Sequence, residues 1–432
     1  MITKLYSAYL ASRRVTTDSR AITPGCLFFA FRGATFDGNA FAPQALEQGA
    51  ALCVISDPKY KVDDRCIVVP DVLATLQELA RHHRRQLTIP VIGITGTNGK
   101  TTTKELVHAV LAKRYKTSAT AGNFNNHLGV PLTLLAIPAD AQLAIVEMGA
   151  NHPGEIAALC SIADPDCGLI TNVGRAHLEG FGSFEGVIRT KTELYRHLNA
   201  KGGLIFVNAD NPILTNQLST FHSPLSTLTY GSSASADVRG TYVGSDPYMH
   251  FYFERGDNVY NVRSHLLGAY NFDNAMAAVA VGLHFGVDPF DIKEAIEAYI
   301  PANQRSQWKE TANNRLYLDC YNANPSSMAA AVQAFADIQA PHKAAIIGAM
   351  RELGSASHDE HQHLVDTLGA CRLDHCLLIG AEFDGIALAP NMLHVNTTDE
   401  AAALLRERAP KGLTILVKGS NSNRLWTLEE LL

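Results

Sequence analysis

Between Gly93 and Val107 the chain reads GITGTNGKTTTKELV. Gly96 and Gly99 let backbone N–H groups approach an anion closely, Lys100 adds a mobile positive charge, and the Thr101 hydroxyl can ligate magnesium. The match to a phosphate-binding loop covers Gly96, Thr97, Asn98, Gly99, Lys100 and Thr101. The longer pattern carries one more glycine, at the position of Ile94. Binding of a nucleoside triphosphate is the chemistry this implies. Two further residues sit where ligands of α/β sheets bind, at strand carboxyl ends. Glu147 closes the apolar run LAIVE, and His177 follows CGLITNVG. A buried glutamate is costly unless it is paired or holds a metal. A neutral imidazole is a common metal ligand. Lys191, in RTKTELY, falls on a predicted helix and reads by spacing alone as a solvated charge. Asn271 and Asn274 stand three apart at a helix start, where either could cap the helix or turn an amide to a purine edge.

These residues need strands and helices to aim them. TIPVIGIT, before the loop, is short, β-branched and uninterrupted, as a strand buried on both faces requires. Thr101 to Ala112 follow with Leu106, Val107, Val110 and Leu111 at helical spacing. Strand, glycine turn and helix start in succession point backbone N–H groups at one place. LAIVEMG, CGLITNVG and GLIFVNAD continue the rhythm of a mostly parallel sheet. From about Thr227 to His265 the period shifts toward two, which predicts an antiparallel patch. A helix is expected from Asn271 to Phe285. After PANQRSQW, a predicted linker, RLYLDC, KAAIIGAM, HCLLIG and GLTILVKG alternate with helices in a second, smaller α/β unit. The N-terminal part carries short strands, CLFFAF and ALCVIS, and a helix rich in Gln, Arg and His.

Composition narrows the function. The chain has 432 residues, enough for about three domains. Hydrophobic residues make up 47%, so a large core is expected rather than disorder. A net charge of −6 without a basic block argues against nucleic acid as a partner. The eight cysteines form no CxxC pair, and Cys53, Cys66, Cys160 and Cys167 read as small core residues. No apolar run approaches a membrane span, and a monomeric protein of the reducing cytoplasm is expected.

GTNGKTT, GNFNNHLGVPLTLL, EMGANHPGEI, NVGRAHLEGFGS, KTE, LGAYNFDNAMAA and DCYNANPSSM occur in this order along nearly the whole chain. Together they closely resemble the Mur ligase family, ATP-dependent amide-forming enzymes of peptidoglycan precursor synthesis. GNFNN, EMGANHPGEI, HLEGFGS and YNANPSSM are similar to the branch that adds D-alanyl-D-alanine to a UDP-N-acetylmuramoyl-tripeptide. The resemblance implies three α/β domains: residues 1–88 for the UDP substrate, a central P-loop domain over 89–300, and a Rossmann-like domain over 301–432. It implies that Gly96 to Thr102 cradle the ATP phosphates, with Lys100 on the terminal ones. Thr101 and Glu147 would serve one magnesium ion. His177 would serve a second, supported by Lys191 as a carbamate. Asn271, Asn274, Arg305 and Asp319 match positions around the nucleotide. Asp18, Ser19 and Arg20 match the segment that receives UDP, and Asn125 and Asn126 the approach of the sugar–peptide. Tyr321, Asn322, Asn324 and Ser327 belong to a substrate-binding stretch that closes over the reaction. The implied chemistry is phosphorylation of the tripeptide carboxylate to an acyl phosphate, which the amine of D-alanyl-D-alanine then attacks. A P-loop module that hydrolyses ATP only to change shape remains the alternative.

Overall fold

The computed structural model describes residues 1–221, 225–302 and 304–432. Asn303, within the expected linker, lies outside the described residues. Three separate sheets organise the chain. The first contains β1 (Val15–Thr16), β2 (Leu27–Phe29), β3 (Leu52–Ile55) and β4 (Cys66–Val68), all parallel. The central sheet contains β5 (Val91–Thr95), β6 (Thr117–Ala119), β7 (Leu143–Glu147), β8 (Cys167–Ile170), β9 (Leu204–Asn208), β10 (Ser226–Gly231), β11 (Val238–Ser245), β12 (Tyr248–Arg255) and β13 (Asn258–Leu267). The third contains β14 (Gln307–Glu310), β15 (Arg315–Asp319), β16 (Lys343–Gly348), β17 (His375–Ile379), β18 (Met392–Val395) and β19 (Thr414–Lys418).

The central order is β13-β12-β11-β10-β9-β8-β5-β7-β6. β5 and β8 are neighbours, yet the chain leaves β5 toward β6 at one edge and leaves β8 toward β9 on the other side. A crevice must open where the connections part, beyond the carboxyl ends of this pair. The two segments that frame it are the glycine turn after β5 and NVGRAH after β8. All five residues of β5 are buried, as expected for a strand covered on both faces.

The antiparallel patch starts later than the period predicts. β10 runs parallel to both β9 and β11, and within the central sheet the antiparallel pairs are β11 with β12 and β12 with β13. β10 is exposed at its start and buried at its end, and its period-two residue pattern carries no information on direction.

The N-terminal unit is not loosely attached. Leu5, Tyr9, Leu76 and Leu79 share one core with Val146, Ile156 and Leu159 of the central unit. The helix Val72–Gln86, capped by Asp71 Oδ1 on Ala74 N, therefore stands against the central helices at a fixed angle. In the third sheet β19 inserts between β15 and β16, which places Lys418 beside Asp319 at the carboxyl edge. All eight cysteines are free and seven are buried. Among the described residues no helix is long and apolar enough to cross a membrane.

Candidate active site

A cleft of about 800 Å³ opens at the β5–β8 crevice and is lined by residues from all three units. The phosphate loop forms one wall. Gly99 has φ +77°, a left-handed backbone that caps the helix Lys100–Leu111, and a Cβ there would lie 2.5 Å from Asn274 Oδ1. Only glycine permits both the turn and that approach. The loop is anchored to the segment after β8: Thr97 N donates to Asn172 O at 3.0 Å, Asn98 N to Asn172 Oδ1 at 3.0 Å, and Thr171 Oγ1 to Asn98 O at 2.6 Å. Lys100 Nζ donates to the Gly96 and Thr97 carbonyls, both at 2.9 Å. Desolvation lowers the Lys100 pKa, and the Glu147 carboxylate opposes that shift. Thr101 and Thr102 also line the cleft.

Glu147 is 1% exposed. Its Oε1 accepts from Asn125 Nδ2 at 2.8 Å and from Thr101 Oγ1 at 3.4 Å. Its Oε2 is buried with no hydrogen-bond partner. A buried anionic oxygen left unpaired is costly, and a hard cation is what satisfies it. Asn126, the neighbour of Asn125, spends its Oδ1 on Leu128 N and Gly129 N and so shapes the turn. No group of three or more His, Cys, Asp or Glu side chains suited to a metal ion occurs among the described residues. A cation at Glu147 would thus share its coordination with a bound phosphate, as magnesium commonly does.

Lys191 is not the solvated charge that its spacing predicts. It is 2% exposed, donates to Ala150 O at 3.2 Å, and lies 5.3 Å above the Phe181 ring. Burial, and next the Lys100 charge, hold its pKa well below the ordinary lysine value. The period was misleading because the helix Phe184–Lys191 ends at this residue and turns it inward against EMGAN. Glu193, two residues on, fixes that contact by accepting from Gly154 N at 3.0 Å and Ala157 N at 2.8 Å. His177 takes a left-handed backbone, φ +50°, and its Nδ1 pairs with Glu352 of the third unit. Desolvation lowers the His177 pKa, while Glu352 opposes the shift.

The two asparagines at the helix start do not cap it. The helix Asn271–His284 has no side-chain cap. Asn271 Nδ2 donates to Leu267 O at 2.8 Å, and Asn274 Nδ2 to Asn271 Oδ1 at 2.8 Å. Asn274 Oδ1 accepts from Thr103 Oγ1 at 3.0 Å, so the pair backs the phosphate loop from beneath. Both still reach the cleft wall.

The third unit closes the opposite side. Arg305 lies between Gln304 and Ser306, which have φ of +57° and +46°, and its guanidinium stacks 3.6 Å from the Tyr321 ring centroid. Asp319 accepts from Ser306 N at 3.3 Å and from Lys418 Nζ at 2.5 Å. Asn322 and Ser327 line the cleft. Asn324 and Ser327 form a capping box on the helix Pro325–Asp337, and Asn324 Nδ2 also donates to Asn98 Oδ1 at 2.8 Å across the units.

Asp18, Ser19 and Arg20 stand apart from the cleft lining. Arg20 is folded onto Asp18 at 2.8 Å in an exposed turn. Among the cleft residues that the sequence did not single out are Lys418, Gln77 and Arg81. Lys418 had a signal, a charge ending the buried run TILVK, as Glu147 ends LAIVE. Gln77 and Arg81 had none, because only packing brings the N-terminal helix to the cleft.

Known proteins share this arrangement. Residues 13–84, 94–282 and 304–421 match family models described as Mur ligase family, catalytic domain; Mur ligase middle domain; and Mur ligase, glutamate ligase domain. UDP-N-acetylmuramoyl-tripeptide–D-alanyl-D-alanine ligase of Bacillus subtilis (strain 168) is 35% identical, over 95% of this chain and 91% of its own. The solved UDP-N-acetylmuramoylalanyl-D-glutamyl-2,6-diaminopimelate–D-alanyl-D-alanyl ligase from Acinetobacter baumannii is 31% identical with TM-score 0.84, covering 96% of this chain and 92% of that one. MurF ligase from Thermotoga maritima in complex with ADP is 29% identical with TM-score 0.86, covering 98% and 97%.

Proposed function

The chain belongs to the Mur ligase family, and from that premise we propose that it uses ATP to join D-alanyl-D-alanine to a UDP-N-acetylmuramoyl-tripeptide in peptidoglycan synthesis. The observation that carries this is the unpaired Glu147 Oε2 beside Thr101, at the mouth of a phosphate loop in a cleft bounded by all three units. Residues 1–88, 89–300 and 301–432 act as substrate, nucleotide and ligase domains of a cytoplasmic enzyme.

A carboxylate does not form an amide readily, because its oxygen is a poor leaving group. Transfer of the ATP γ-phosphoryl group to the tripeptide carboxylate forms a C–O–P acyl phosphate and leaves ADP. The neutral amine of D-alanyl-D-alanine attacks the carbonyl carbon, the C–N bond forms, and phosphate departs with the electrons of the C–O bond. The amine's extra proton passes to solvent. This chain contributes positioning and charge rather than a nucleophile. Loop N–H groups and Lys100 hold the β- and γ-phosphates. Asn125 and Thr101 orient Glu147. Arg305, stacked on Tyr321, flanks the nucleotide end, and the third unit excludes water from an intermediate that water would destroy.

Glu147 and Thr101 would hold one magnesium ion, and His177 with Lys191 would hold a second; magnesium there would supply charge neutralisation for the phosphates and the incoming carboxylate. For Lys191 the fitting form is the carbamate. Its lowered pKa favours the neutral amine that carbon dioxide needs, and the product presents anionic oxygens to a hard cation.

The test is incubation with ATP, magnesium, UDP-N-acetylmuramoyl-tripeptide and D-alanyl-D-alanine. The expected result is a pentapeptide product by mass and phosphate release that needs both acceptors. ATP turnover independent of both would replace this reading with that of a nucleotide switch.

A further inference from the structure

The cleft has a second arm that nucleotide chemistry leaves unused. It runs from the phosphate loop between the GNFNNH turn and the helix Glu155–Ala163, under the N-terminal helix Val72–Gln86. Ala158, Leu159 and Ile162 give it an apolar floor. Gln77 Nε2 bonds to His127 O at 3.0 Å and pins the N-terminal helix to the rim. The cleft-lining lysines and arginines are Arg81, Lys100, Arg305 and Lys418. Lys100 belongs to the phosphates, Lys418 is paired with Asp319, and Arg305 lies on Tyr321. Arg81 is the remaining one, and it is in the second arm. Its carboxylate partner Glu78 lies 3.4 Å away and is 42% exposed, a pair that water screens. Glu155, in the same arm, has its oxygens occupied by Asn151 N, His152 N and the His152 ring.

We propose that Arg81 is a specificity residue that receives a non-reacting carboxylate of the acceptor peptide. The proposal rests on the ligase reading above. That reading requires one carboxylate at the phosphate loop, and an alanyl-D-glutamyl-diaminopimelyl peptide, the substrate for which the Acinetobacter baumannii relative is named, carries two more. A guanidinium on a rigid helix suits bidentate recognition of such a group. The carboxylate comes either from the D-glutamyl residue or from the side chain of the third residue.

The experiment measures kcat and KM for three acceptors: the diaminopimelate tripeptide, the lysine tripeptide, and a diaminopimelate tripeptide amidated at the D-glutamyl carboxylate. Wild type and Arg81→Gln are compared, with thermal melts to confirm folding. The expected result is a KM for the diaminopimelate tripeptide raised about 10- to 100-fold in the variant, with the KM for ATP unchanged. The penalty vanishes with the lysine acceptor if the third residue is read, and with the amidated acceptor if the D-glutamyl residue is. Equal KM in wild type and variant, or a penalty of the same size for all three acceptors, overturns the assignment. Failure of the ligase reading is a separate result, because wild type itself would then yield no pentapeptide from any acceptor.

Discussion

Glu147 and Lys191 are both buried ionisable groups: Glu147 Oε2 has no hydrogen-bond partner, and Lys191 Nζ donates to the Ala150 carbonyl with no acid bonded to it. Such groups are retained for what they hold rather than for stability. Glu147→Gln keeps shape and the Asn125 contact but loses the anion. Magnesium-dependent turnover should fall about 100-fold or more, with a half-saturating magnesium concentration shifted upward and a melting temperature no lower than wild type. Titrating magnesium against initial rate checks it, and an unchanged curve would return Glu147 to the core. Lys191→Met should separate stability from activity more sharply. It removes a buried amine with no acid bonded to it, so melting should hold or rise while ligation is lost. Lys191→Arg should fail as well, because a guanidinium stays charged and forms no carbamate. A fully active arginine variant would sink the carbamate.

The first helix, Ile2–Ser12, is tied to the helix Val72–Gln86 through one histidine. His83 lies between Tyr6 Oη and Tyr9 Oη, each at 3.2 Å, and Tyr9 donates onward to Leu135 O at 2.9 Å. Tyr9 has spent its proton, so His83 Nε2 donates to it and Nδ1 accepts from Tyr6; only the neutral ring can do both. Burial, with Arg13 and then His82 adding to it, lowers the His83 pKa to about 4. The unfolded chain binds this proton from about pH 6.5 downward, the folded chain only near pH 4. Stability from this group is therefore complete above 6.5 and is lost as pH falls toward 4. Denaturation at pH 7, 5.5 and 4.5 should show stability dropping across that window by less than one proton's worth of slope. His83→Gln should lower the plateau and flatten the drop; an identical pH profile in the variant would refute it.

Across the whole molecule, the third unit meets the phosphate-loop side at a few close contacts. Arg175 N donates to Ser326 Oγ at 2.9 Å, and Asn324 meets Asn98. A Cβ on Gly174 would lie 2.7 Å from Ser326 Oγ and 3.1 Å from its Cβ. Gly174→Ala should therefore hold the units apart. Turnover should fall roughly tenfold or more while ATP affinity and melting change little. Ser326→Gly in the same chain should restore part of it, a coupling that a purely local defect would not show.

By itself the sequence determined the parts with a local physical cause. β5, the glycine turn and the helix start were legible because burial on two faces, positive φ and helical spacing each leave a mark on a few consecutive residues. Glu147 was legible as a charge closing an apolar run. Tertiary structure decided the rest. Lys191 is buried by a helix end packing on EMGAN, not by anything in its own helical period. Asn271 and Asn274 turn away from the cap because Leu267 O and Thr103 offer better-placed partners. β10 runs parallel because its neighbour in space is β9, and its period-two residue pattern does not encode direction. Arg81 reaches the cleft because two cores merge into one. Local pattern records what a segment needs from its surroundings, and only the packed chain settles which surroundings it gets.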